Sequence, residues 1–188
     1  MPTRLNWTLR PSLSGASISL QSDCCTSTPM LAQLQPGWNA MTVRFKDGML
    51  QLPADMLAGL GTPWNTVQPQ GRLQLVTTGL ALQWAAGRMQ LQGQARLDAL
   101  DMSSRLSTLR PMGSYRLLLQ GGSGGQAPQL TLSTLDGALL LSGNGQWVGQ
   151  RLRFTGEASA APERAAALAN LLNIIGRRSG ARSIITLG

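Results

Sequence analysis

Asp98 and Asp101 are the closest pair of carboxylates in the sequence and the natural candidates for an acid–base dyad. They precede Ser103-Ser104 at what reads as a strand end, where acidic side chains more often serve a loop or a helix cap. Histidine is absent from the 188 residues, which removes the commonest general base and the commonest metal ligand. No Ser-His-Asp or Cys-His arrangement can form. Cys24 and Cys25 are adjacent, and two thiols are too few for a structural zinc site with four ligands. They read either as buried or incidental cysteines or as a strained vicinal disulfide in an oxidising compartment. Gly121-Gly122-Ser123-Gly124-Gly125 lacks the Gly-Lys-Ser/Thr ending of a phosphate loop and reads as a hairpin connection. Arg177 and Arg178, with Arg182, form the one basic cluster. Cations are favoured after a helix C-terminus, and the alternative is a contact with anionic lipid head groups or an acidic partner. The inventory predicts no catalytic group, no metal and no cofactor, hence a non-enzymatic protein.

The composition agrees with that expectation. Hydrophobic residues are 43% of the chain, so it can build a core, whereas charged residues are only 13%. Solubility must come from Gln, Ser, Thr and Asn, a surface common in exported β-proteins. The net charge is +8, almost entirely from arginine. Arg72, Arg88, Arg96 and Arg116 stand singly along alternating segments, which suits solvated strand faces better than a nucleic-acid stripe. Trp7, Trp38, Trp64, Trp84 and Trp147 are spread evenly and read as core or sheet-edge packing. No apolar run reaches the ~20 residues that a bilayer span needs, and no signal peptide is recognisable.

Period-two alternation bounded by glycine dominates the chain. Residues 71–75, 79–84 and 87–97 each place Leu or Met on one face and Arg or Gln on the other, as half-buried antiparallel strands do. Thr77-Thr78-Gly79 and Ala85-Ala86-Gly87 read as the hairpin links between them. Further strands are expected at 6–10, 16–21, 41–45, 49–52, 114–120, 129–135, 138–142, 151–158 and 183–187. A short helix is expected at 53–60, after Pro53. The clearest helix is 162–175, opened by Pro162 and Glu163, with Leu168, Leu171, Leu172 and Ile175 as its core face and Gly176 as its C-cap. The predicted fold is mainly β. A single curved antiparallel sheet forms a partial barrel or sandwich, with one short helix and one C-terminal helix packed on it. Residues 1–188 read as one domain, softly interrupted near 53–69.

The ordered motifs add a family. Trp7-Thr8-Leu9-Arg10-Pro11 resembles the start of the periplasmic region of type II secretion system protein N. Ser104-Arg105-Leu106-Ser107 and the stretch from Pro111 to Arg116 are similar to that family's middle. Gly143-Asn144-Gly145-Gln146-Trp147, Arg153 to Ala158 and Leu171 to Arg178 resemble its ending. The resemblance implies an accessory component of the type II secretion system, periplasmic and anchored to the inner membrane by a helix ahead of these residues. Partners would be other type II secretion proteins, with inner-membrane lipid as a further contact and no nucleic acid. Two roles compete. An assembly or scaffolding protein would pair strands with partners along a free sheet edge, for which 138–142 is the candidate. A lipid-handling module would hold acyl chains on an uncovered apolar sheet face, which helix 162–175 is expected to plug.

Overall fold

The computed structural model describes residues 5–22, 29–61, 64–85, 87–122, 126–149 and 151–188. Alternating side chains cannot be sorted onto one stripe of a helix but sort cleanly onto two faces of a sheet. Most of the chain accordingly forms strands: β1 Leu5–Ser12, β2 Gly15–Ser22, β3 Met30–Gly37, β4 Ala40–Phe45, β5 Gly48–Pro53, β6 Gln70–Ala85 and β7 Arg88–Ser103. They continue with β8 Gly113–Gln120, β9 Gln129–Gly137, β10 Leu139–Val148, β11 Arg151–Ala160, β12 Arg177–Ser179 and β13 Arg182–Leu187. These make one 13-stranded antiparallel sheet, not closed into a barrel, in the order β1-β2-β3-β4-β6-β7-β8-β9-β10-β11-β13-β12, with β5 beside β6.

The hairpin of β6 and β7, 16 residues in each strand, is the spine. Its turn end carries β4, and the other half carries β5 on one side and β8 on the other. The sheet therefore has an N-terminal wing, β1 to β4, and a C-terminal wing, β5 and β8 to β13, joined through the hairpin. The join is irregular on each strand involved. Thr77-Thr78-Gly79 is not the predicted hairpin link: β6 runs through it, with Thr77 and Thr78 paired and a bulge at Gly79-Leu80, between the pairs Thr78↔Gln94 and Ala81↔Gln92. Gly79 lies at φ +55° and Gly93 at φ +73°, and a Cβ on Gly93 would overlap the Gly79 carbonyl, so only glycine fits this close approach. Alongside, the chain breaks between β4 and β5. Lys46 N–H donates to Leu31 O at 2.9 Å, Thr77 Oγ1 donates to Lys46 O at 3.2 Å, and Gly79 N–H donates to Asp47 Oδ1 at 2.6 Å.

The core lies on the C-terminal wing. Leu73, Tyr115, Leu139 and Ala158 from the sheet meet Ala54, Met102, Met112 and the helix α2 face Leu168, Leu171 and Leu172, with Ile175 packed against them. Helix α2 is Ala165–Ile175, preceded by a 3-10 turn at Pro162–Arg164, so the α-helix starts three residues later than its proline signal suggests. The predicted short helix is a 3-10 helix, Ala54–Leu60, followed by the single turn α1, Trp64–Val67. Gly176 is not a left-handed C-cap: it is extended, and glycine is needed there because a Cβ would stand 2.6 Å from Ile184 O. Buried serine hydroxyls pin the covering layer. Ser104 Oγ donates to Val67 O at 2.6 Å, Ser107 Oγ to Ala167 O at 3.1 Å and Ser183 Oγ to Leu172 O at 2.7 Å. Val67 and Leu172 are in the last turns of their helices, where carbonyls lack an intrahelical donor, and Ser107 adds a second donor at Ala167 in the first turn of α2.

Candidate functional site

The N-terminal wing is where the sheet stays open. Register assigns its faces without ambiguity, because partners across an antiparallel ladder share a face. One rung runs Trp7–Leu20–Met30 and the next Leu9–Ile18–Ala32–Phe45. A third runs Pro11–Ala16–Leu34–Val43–Leu82–Leu91, and a fourth Pro36–Met41–Trp84–Met89. No charged side chain occurs on any of these rungs. The opposite face carries Thr8, Arg10, Ser17, Gln33, Arg44, Thr42, Gln83 and Gln90 at intervening positions. Near the junction the apolar face is buried at Met30, Ala32, Leu50, Leu80 and Leu91. Away from it the face opens, with Trp7 67% and Leu9 51% exposed. None of the core cluster comes from β1 to β4, and α2 packs on β11, β12 and β13, at the far end of the sheet. The predicted plug therefore covers only the C-terminal wing.

The two outermost edges differ. β1 has eight residues with β2 on one side and no partner strand on the other among the described residues. β12 has three residues, two of them Arg177 and Arg178. The 138–142 segment is no free edge: β11 pairs it on one side, and on the other Ser142 pairs Ser133 while the amides of Ala138 and Leu139 donate to Met112 O and that of Leu141 to Thr134 Oγ1. Arg177 and Arg178 directly follow Gly176, the C-cap of α2, and as exposed neighbours on a strand they point to opposite faces. Arg182 Nε lies 3.2 Å from Glu157 Oε1. The basic cluster is thus divided between two faces and an ion pair. Cys24 and Cys25 fall outside the described residues.

Asp98 and Asp101 belong to β7, not to a loop or cap, and different arginines hold them. Asp98 is buried on the face opposite the core. Arg116 Nε donates to its Oδ1 at 2.7 Å and Nη2 to its Oδ2 at 2.9 Å, while Arg96 Nε stands 3.5 Å away. The hydrogen-bonded Arg116 guanidinium holds the Asp98 carboxyl below the usual range, against the opposing effect of burial. Asp101 takes Arg72 Nη2 at 2.6 Å and has φ +53°. Two carboxylates tied up in this way brace the ladder. The sequence reading also missed four exposed tryptophans, Trp7, Trp38, Trp64 and Trp84, three of them on the open wing. A surface depression of about 550 Å³ crosses β9 to β11 and is lined mainly by amides, hydroxyls and Arg153.

Among the described residues no helix is long and apolar enough to cross a membrane. No curated protein and no solved structure matches the chain. A family model described as type II secretion system (T2SS), protein N, matches residues 1–185, essentially the whole length. The chain belongs to the type II secretion system protein N family and is a component of that system.

Proposed function

We propose that the protein is a non-enzymatic assembly component of the type II secretion system. It acts in the periplasm, is held at the inner membrane in the full-length protein, and pairs along β1 with a strand of another secretion protein. The carrying observation is the asymmetry of the edges. An unpaired edge strand is a template for another strand unless it is short or charged. β12 is both, whereas β1 offers eight residues, with Arg10 as the one charge, Pro11 confined to the turn end, and Trp7 and Leu9 beside the open edge. A partner strand added there would extend the apolar rungs as well as the hydrogen-bond ladder. Replacing Trp7 and Leu9 together with Lys places charge on this edge at positions already exposed. The expected result is loss of secretion and of co-purified secretion proteins at unchanged protein level and melting temperature. Normal secretion by this variant would overturn the proposal.

A second reading, an envelope lipid-handling module with acyl chains laid on the N-terminal wing, draws on the uncovered apolar face. Native mass spectrometry of the protein from an envelope extract separates the two. A bound secretion protein supports the first, and a bound phospholipid without any protein partner replaces it with the second.

A further inference from the structure

Three hairpin turns of the N-terminal wing point to the same end of the sheet. The β1–β2 turn closes at Ser12↔Gly15, the β3–β4 turn at Gly37↔Ala40 and the β6–β7 turn at Ala85↔Arg88. Ala40 pairs both Gly37 and Ala85, so the second and third turns stand level. Ala16 pairs Leu34, which sets the first turn about two residues lower, or ~7 Å at the usual strand rise. Two of the tips carry a large apolar residue, Leu13 beside Ser14 and Trp38 beside Asn39, where turns are ordinarily polar. Leu13 and Trp38 are fully exposed, and the rung just below presents Met41 and Trp84, each about two-fifths exposed. The strands and turns of this wing, residues 5–22, 29–45 and 80–92, contain Arg10, Arg44 and Arg88 and no Asp or Glu.

We infer that this end docks on an anionic phospholipid bilayer, with the Leu13 and Trp38 turns dipping into its interface. The geometry favours a bilayer over a protein partner. Leu13 and Trp38 project from the turns of two neighbouring hairpins and are fully exposed, instead of lying in the packed, desolvated centre on which a protein interface is built. A bilayer interface requires no shape match: it accepts a Leu and the amphipathic indole ring of Trp at head-group level, and it leaves turn backbones hydrated. Arg10 and Arg44, in strands and turns that contain no Asp or Glu, supply attraction to anionic head groups. The inference stands independently of strand pairing along β1.

Vesicle flotation tests it, with phosphatidylcholine alone and with phosphatidylglycerol added. The protein is expected to float with the anionic vesicles, less with the neutral ones, and less again at high salt. Leu13→Asp with Trp38→Asp should weaken binding at least about tenfold, given the cost of placing charge in the interface. Leu140→Asp, an exposed apolar residue on the C-terminal wing, should leave it unchanged. In parallel, brominated phosphatidylcholine in the anionic vesicles should quench tryptophan fluorescence, and Trp38→Phe should reduce that quenching while keeping the protein bound. Failure of the parent protein to float, salt-insensitive binding equal on both vesicles, or a double variant that floats like the parent would each overturn the inference. Should the double variant misfold, absence of bromolipid quenching in the parent protein would overturn it instead.

Discussion

Asp98 pairs with Arg116 across the β7–β8 ladder, and Arg96 reaches the same carboxylate from two positions along its own strand. A buried acid with two guanidiniums keeps its charge in the folded protein and loses those partners on unfolding. Its folded pKa is the lower of the two, so this contribution is complete above the unfolded value of about 4 and fades as pH falls through the folded one. Asp98→Asn should therefore lower the urea midpoint at neutral pH, and the gap from the parent should close as the acid limb is entered. A gap that persists unchanged at low pH would show that packing, not charge, accounts for the loss. Little of this was legible beforehand. Residues 95–99 alternate in plain view, but the partner at Arg116 lies 18 positions away and only the register of β7 and β8 brings it opposite. The tryptophans misled for a related reason. An apolar side chain reads as core when the covering layer is assumed, and Trp7 and Trp84 lie on a face that no described helix covers.

The elements divide according to how local their signals are. Period-two alternation is carried by adjacent residues, so the strands and the mainly β architecture could be read directly from the sequence. Turn chemistry is more ambiguous: Thr77-Thr78-Gly79 looks the same as a hairpin link and as a bulge, and what separates them is whether the partner strand continues past it. Here β7 does: it pairs β6 on both sides of the site, up to Ser103 one way and Arg88 the other. Edges are less local still, since whether 138–142 is flanked depends on where β9 and β11 fall. Helix α2 closes the core over β11 and β13, with Leu168 fully buried between Ser107, which bonds the turn at Ala167, and Ser183, which bonds Leu172. Leu168→Ala removes side-chain volume at a point where hydrogen bonds on both sides limit collapse. A stability loss of about 3 kcal/mol is expected by chemical denaturation, with secondary structure retained. A loss under ~1 kcal/mol would mean that α2 slides in to fill the space.

At the scale of the whole molecule, one hydrogen-bonded sheet spans two unequal halves. The C-terminal wing has a closed core of sheet, helices and the Ser104–Met112 connection. The N-terminal wing has ladder hydrogen bonds and an apolar face left largely to solvent, with only Met30, Ala32 and the junction residues Leu80 and Leu91 buried. Ladder hydrogen bonds add little net stability when water competes for the same groups, so burial of apolar surface decides which half opens first. Opening of β1 and β2 costs only their own rungs. Opening of β7 or β8 exposes the main core. Native-state hydrogen exchange should show this as a gradient, with amides of β1 and β2 exchanging at least about tenfold faster than those of β7 to β10. The same measurement probes function. A strand pairing with β1 would slow the fast amides along that edge, whereas a bilayer at the hairpin turns would slow those of the turns and leave the outer edge of β1 fast. Uniform protection across the sheet in the isolated protein would mean that the open wing has a cover of its own, and both proposed surfaces would have to be sought elsewhere.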